Sequence, residues 1–196
     1  MLTRTAVVTA SAVAAIALAA PSASAAPTVH VKSGTTKVTI APAITKALLS
    51  NGIAPVVTRP GRPGLALVGR QPTLTATYPV TGGALTAEPL GGTIRHKGGL
   101  KFTNLFNGRS LQVESFTVDL TKGRLTGRVA GTTTRVPVFK LDLSTAKVTV
   151  GRHGADATNV TLKLTGEAAG ALNSTLRTKV FSAGLPVGTA DTHPRF

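Results

Sequence analysis

The sequence predicts an all-β domain, an antiparallel β-sandwich or partly closed barrel with two short helices. Three observations carry this. From Thr73 onward apolar and polar residues alternate with period two, the signature of half-buried strands. Turn residues interrupt the runs at short intervals, and the runs are filled with threonine and other β-branched residues that suit a pleated surface. Only Ala43–Ser50 and Gly166–Leu176 read as helices, so about ten short strands and two helices must share one core.

The elements follow in chain order. Arg4 precedes an unbroken small and apolar stretch, Ala6–Ala20, and then Pro21-Ser22-Ala23-Ser24-Ala25. This is the pattern of a secretory signal peptide over residues 1–25, cleaved near Ala25. The apolar stretch is too short for a membrane span. Residues 26–35 read as a leader, 36–191 as one domain and 192–196 as a tail. Lys37–Ile40 alternates, and Pro42 opens the first helix, where its missing N–H costs nothing. Asn51-Gly52 ends that helix with residues suited to a left-handed backbone. Ile53–Thr58 is a strand, and Arg59–Gly64, rich in Pro and Gly, reads as a cationic loop. Strands are then expected at Thr73–Val80, Gly92–His96, Leu100–Thr103, Leu111–Leu120, Arg124–Val129, Val136–Leu143, Lys147–Val150, Val160–Leu164, Lys179–Ser182 and Val187–Ala190. Leu111 and Val113 share one phase while Phe116, Val118 and Leu120 share the other, which predicts a bulge near Ser115. Val38-Thr39-Ile40 with Ala47-Leu48 is echoed by Leu162-Lys163-Leu164 with Ala171-Leu172 at a constant offset of 124 residues, and the same offset carries Val56-Val57 onto Val180-Phe181, so both units read strand, short helix, strand.

Composition narrows the chemistry. The 196 residues hold 22 Lys and Arg against 7 Asp and Glu, no Cys, no Trp and one Tyr. The absence of Cys excludes disulfides and thiolate metal sites, so the domain rests on packing alone. Hydrophobic residues make up 42%, which excludes disorder through low hydropathy. The four His are scattered without metal-ligand spacing. Ser110 lacks the second Gly of a nucleophile elbow. Glu114 and Asp119 lie an odd number apart and face opposite sides of a regular strand, unless the bulge at Ser115 reverses one of them. These readings favour a binding protein over an enzyme.

Tyr78-Pro79-Val80-Thr81-Gly82-Gly83, Gly92-Thr93-Ile94-Arg95-His96-Lys97-Gly98-Gly99-Leu100, Leu141-Asp142-Leu143-Ser144 and Val160–Ala169 occur in an order that resembles the HtaA-type domain of exported actinobacterial haem-uptake proteins. The resemblance spans about residues 78–190. It implies a β-sandwich with small helices that binds haem through a Tyr axial ligand supported by a His. The family's His-x-Gly-x-Leu stretch falls on His96. The ligand Tyr has no counterpart, because Val38–Val57 contains no Tyr, Trp or His, and Tyr78 matches a core position.

The candidate ligand-binding residues are therefore His96 with Arg95, Lys97 and Lys101, an imidazole in a cationic surround suited to haem propionates or another hydrophobic anion. Flanked by two basic residues in a strand, His96 reads more readily as a solvated surface side chain. No cofactor is required; haem enters as a ligand. Phe102, Phe106, Phe116, Phe139 and Phe181 are expected in the core. The charge of +15 points to polyanions, while aromatic content of 4% argues against sequence-specific nucleic-acid recognition. Two readings stand: a secreted binder of haem or another hydrophobic anion, and a basic cell-envelope structural or adhesion protein that contacts anionic wall polymers or a membrane surface without a pocket.

Overall fold

The computed structural model describes residues 27–86 and 88–196, so the expected signal peptide lies outside the described residues. The elements are β1 (Thr28–Val31), β2 (Ser33–Ile40), α1 (Pro42–Ser50), β3 (Ile53–Thr58), β4 (Arg62–Val68), β5 (Gln71–Thr86), β6 (Gly91–His96) and β7 (Gly99–Asn104). They continue with β8 (Ser110–Asp119), β9 (Arg124–Val129), β10 (Arg135–Asp142), β11 (Lys147–Gly151), β12 (Gly154–Leu164), α2 (Gly166–Leu176) and β13 (Pro186–Arg195).

Eight strands close into an antiparallel barrel in the order β5-β2-β13-β12-β10-β9-β8-β6, with β6 pairing back onto β5. Closure removes the sheet edges that a sandwich would leave. The length of β5 makes it possible. One edge pairs with β2 and then β1, the other with β4 and then β6. Between Val80 and Gly82 the register shifts, and at Gly83 a side chain would collide with the Thr93 carbonyl, so glycine there lets β5 bend close against β6. β8 is shared in the same way, with β7 along its first half and β6 along its second. β3 extends the sheet beyond β7.

The bulge expected near Ser115 is present. Ser115 has φ +54 and the β8–β9 register shifts between Glu114 and Thr117. It keeps Leu111 and Val113 on the same apolar side as Phe116 and Val118. It also turns Glu114 and Asp119 to one face, opposite Arg128 and Arg124.

Several expectations are corrected. Residues 26–35 are not a loose leader but contain β1 and the start of β2, and the tail 192–196 completes β13, where Thr192 to Arg195 pair with Thr36 to Ser33. Arg62-Pro63-Gly64 does hold a ladder, opposite Thr77, Ala76 and Thr75. A proline is tolerated there because β4 pairs on one side only, so the missing N–H interrupts nothing. Lys179–Ser182 is not a strand. The segment is held instead by Asn173, whose side chain donates to the Phe181 carbonyl at 2.7 Å and accepts from the Phe181 amide at 3.1 Å. Phe106 lies on the surface, 80% exposed. The echo at 124 residues holds for strand and helix, since Pro42 and Gly166 both open helices and Leu48 and Leu172 share one buried cluster. It does not extend to the strand that follows.

The helices close one end of the barrel. α2 packs on β10, β8 and β7, and α1 on β3 and β5. Leu48, Ile53, Leu172 and Leu176 are the buried anchors of that cluster. Thr165 caps α2, accepting from the Ala168 amide at 3.1 Å and donating to the Pro137 carbonyl at 2.7 Å, which ties the helix start to β10.

Candidate ligand-binding cavity

Period-two alternation divides each barrel strand between an apolar interior and a polar exterior. The interior encloses a cavity of about 340 Å³. Its walls include Val38 of β2, Ile94 of β6, Phe116 of β8, Leu162 of β12 and Ala190 of β13. An eight-stranded barrel is just wide enough to be filled by side chains or to hold one small ligand. Opposite the helices, the cavity lining reaches Val29, Leu90, Val148 and Val150, each 40–52% exposed. These residues come from β1, the β5–β6 turn and β11, and form an apolar rim at the end away from α1 and α2.

The structure places His96 inside, 5% exposed, and so excludes the solvated reading. Its Nε2 lies 2.7 Å from Thr36 Oγ1, which in turn lies 2.6 Å from Thr192 Oγ1. Nδ1 is buried and has no hydrogen-bond partner. An unsatisfied polar atom of this kind costs about 1–3 kcal/mol. Burial pushes the His96 imidazole down to about 4, an effect that the nearby Phe116 backbone only partly offsets without reaching hydrogen-bond geometry at Nδ1. The ring is therefore neutral at neutral pH.

The other three predicted site residues are not brought to this cavity. Arg95 and Lys97 flank His96 in sequence and are exposed on the other side of the wall. The Arg95 guanidinium lies across Gly82. Lys101 sits on β7 opposite Val56 and Gln112, out of phase with Leu100 and Phe102, which line the cavity. Thr192 fell in the expected tail, and neither it nor Thr36 was singled out from sequence. The signal available was alternation, which runs from Ile40 back through Val38 to Thr36 and from Ala190 on to Thr192.

Among the described residues the other ionisable side chains on the cavity wall are Tyr78 and Glu167. Tyr78 is 5% exposed, stacks edge-on against Phe116 at 5.4 Å, and is held well above the usual phenol range by burial. Its hydroxyl reaches the Gly99 carbonyl at 3.4 Å. Haem needs an axial ligand and cations for its propionates on one side of one surface. Here the imidazole faces inward with Nε2 engaged, the phenol is buried and neutral, and the cations lie outside. These residues do not fit haem as the resemblance arranges it.

The outer wall carries the charge. Asp142 is held well below the usual carboxylate range, first by its hydrogen bond to Lys163, with Nζ at 2.8 Å. Glu114 pairs with Arg128 at 2.6 Å. Asp156 is lowered by the His193 ring, 2.7 Å away, and then by Arg195 at 3.1 Å. Among the described residues no group of three or more His, Asp or Glu is placed to hold a metal ion.

No family model and no curated protein matches the chain by sequence. Solved structures do match by fold. The C-terminal domain of HtaA from Corynebacterium glutamicum superposes with a TM-score of 0.61 at 13% identity, over 85% of this chain and 98% of that domain. A histidine-to-alanine variant of the same domain, a domain-swapped dimer, gives 0.50 at 13% identity over 79% and 90%. The likeness read from residues 78–190 thus extends over most of the chain, and at this identity it is a likeness of architecture: the protein has the fold of the C-terminal domain of HtaA.

Proposed function

We propose that this is an exported, non-enzymatic binding protein that holds a small hydrophobic molecule inside its barrel. The observation that carries the reading is the apolar cavity, closed by helices at one end and rimmed by exposed valine and leucine at the other. A volume of about 340 Å³ lies at the lower end of the range for small-molecule pockets, about 300–1,000 Å³. The fold likeness supports the same general role without naming the ligand. The signal-peptide pattern of residues 1–25 supports export.

Haem, implied by the family resemblance, is the specific alternative. Titration with hemin and with a neutral fluorescent apolar probe separates the two. The cavity reading expects saturable one-to-one binding of the apolar probe and no saturable Soret shift that depends on His96. A one-to-one Soret shift lost in His96→Ala would establish haem and place its site at the buried ring.

A second reading has its own observation. Lys140 on β10 stands directly opposite both Lys163 on β12 and Arg124 on β9, and Arg135 stands opposite Arg128. Like charges across strands are destabilising; an anionic polymer laid over this wall would relieve that. Binding to polyphosphate that falls steeply with salt would support it.

A further inference from the structure

We propose that a ridge formed by the β4–β5 hairpin, the end of α1 and the β7–β8 turn docks the protein onto an anionic phospholipid bilayer. The ridge is separate from the cavity: Leu49, Leu65, Leu67, Leu105 and Phe106, which build it, do not line that space.

These five side chains are 60–80% exposed, more than any other large apolar side chain among the described residues. The fold strings them together. Leu65 and Leu67 lie on one side of β4, and Leu67 stands opposite Pro72. Pro72 and Gln71 line a shallow groove with Lys46 and Leu49 of α1. The Leu49 carbonyl accepts from the Gly52 amide at 3.1 Å, and the Gly52 carbonyl accepts from the Leu105 amide at 2.8 Å. The Phe106 ring lies over Gly52, where any Cβ would strike it.

The turns that display these side chains are held firmly. Gly69 and Arg70, at φ +54 and +70, close the hairpin in two residues. Asn104, 5% exposed, accepts from the Phe106 amide and donates to the Leu176 carbonyl, both at 2.9 Å. Asn107 donates to the same carbonyl at 3.1 Å. Phe106 is thus fixed in water by a built turn, and a contiguous exposed apolar patch marks an interaction surface.

Charge names the partner. Lys46 shares the groove with Leu49, Arg70 tops the hairpin, Arg109 ends the β7–β8 turn and Arg177 caps α2 beside it, all four exposed. Residues 42–77 and 97–113 hold no Asp or Glu. Leucine and phenylalanine enter the acyl boundary while lysine and arginine stay at the phosphates, and each cation adds attraction to an anionic leaflet. A second copy of the chain is the competing occupant. It would press the same four cations together across a two-fold interface. Pro63 also offers no N–H at the free edge of β4 for strand addition.

The chain has no Cys, so the test is a single label with the environment-sensitive fluorophore NBD. Labels are placed at Leu67→Cys, at Phe106→Cys and, on the outer wall, at Lys140→Cys. Each protein is titrated with vesicles of phosphatidylcholine alone and of phosphatidylcholine and phosphatidylglycerol in equal parts. With the anionic vesicles the labels at Leu67 and Phe106 are expected to shift to the blue and brighten at least about twofold, while the label at Lys140 stays as in water. The unlabelled double variant Leu67→Asn, Phe106→Asn keeps every charge and is expected to co-sediment with these vesicles at least about tenfold more weakly. Lys140→Gln is expected to bind about as well as wild type. If the double variant does not fold, Leu65→Asn with Leu67→Asn takes its place. Binding that survives in the folded apolar variant, or an equal shift at all three labels, would overturn the ridge and mean diffuse adsorption of a cationic protein. Blue shifts that grow with protein concentration without lipid would overturn the membrane and mean that a second copy covers the ridge. Equal affinity for both vesicles, or affinity for neither, would overturn the anionic bilayer as partner.

Discussion

Acidification tests the buried imidazole directly. Lowering the pH from about 7.5 to 4.5 protonates His96 in the unfolded chain, where its ordinary value is 6.5, while the folded barrel holds it down to about 4. The unfolded state therefore binds the extra proton, so stability is highest above pH 6.5 and falls as the pH drops through the interval. The loss ends near pH 4, below which both states are protonated. The gap of about 2.5 pH units, at about 1.4 kcal/mol each, amounts to roughly 3.5 kcal/mol, of which about 2.5 kcal/mol is lost by pH 4.5. Asp142 and Asp156 are also held low by their partners, but their contribution is lost in the carboxylate range and is common to wild type and variant. The assay is urea unfolding at about pH 7.5, 6.5, 5.5 and 4.5 for wild type and His96→Phe. The variant keeps an aromatic ring and removes the titration. The difference in unfolding free energy between the two proteins should shift by about 2.5 kcal/mol across the series. A difference that stays constant with pH, or a folded-state imidazole resonance that is missing from the variant, and so belongs to His96, and titrates near 6.5, would refute the reasoning.

Three substitutions test how the frame around the cavity is held. Thr165→Ala removes the cap of α2 and its bond to Pro137; a loss of about 1–2 kcal/mol is expected in urea unfolding. Asn173→Ala frees both backbone groups of Phe181; about 1–3 kcal/mol should be lost, with faster hydrogen exchange confined first to residues 177–185. Ser115→Gly relieves a left-handed serine at φ +54. The relief of about 1–2 kcal/mol exceeds the entropy cost of glycine, leaving a net gain of about 0.5–1 kcal/mol, read as a raised urea midpoint.

What sequence could and could not reveal follows from the physics of each element. Ile53–Thr58, Arg124–Val129 and Gly166–Leu176 were legible to the residue, because alternation, helical spacing and turn chemistry all agree there. The bulge at Ser115 was legible because the apolar phase reverses across it. Full barrel closure was not, since β2 pairs with β13, Ser33 opposite Arg195, and β6 reaches past β7 to β8, and local pattern carries no trace of such pairings. β4 was missed because Pro and Gly dominate its start, although a free edge tolerates both. Residues 26–35 read as a leader and 192–196 as a tail, yet Ser33–Thr36 and Thr192–Arg195 pair with each other and supply two threonines beside His96. His96 was found as a residue and misjudged in its surroundings. Neighbours in sequence on a strand point to opposite faces, so Arg95 and Lys97 are the residues that cannot accompany it.

That same alternation makes the cavity and the cationic wall independent, which salt can test. Ions act on the outer-wall charges of Arg124, Arg128, Arg135, Lys140 and Lys163, and the screening length shrinks from about 30 Å at 0.01 M to about 8 Å at 0.15 M. Among the described residues no Lys or Arg lines the cavity, so a neutral probe bound there has no charge to screen and no counter-ions to release. Between about 0.02 and 0.5 M NaCl its dissociation constant should change by less than about twofold, whereas binding to polyphosphate should weaken by more than about tenfold. Parallel loss of both would mean that probe and polymer share one surface, and the division of the wall into an apolar inner face and a cationic outer face would no longer explain either.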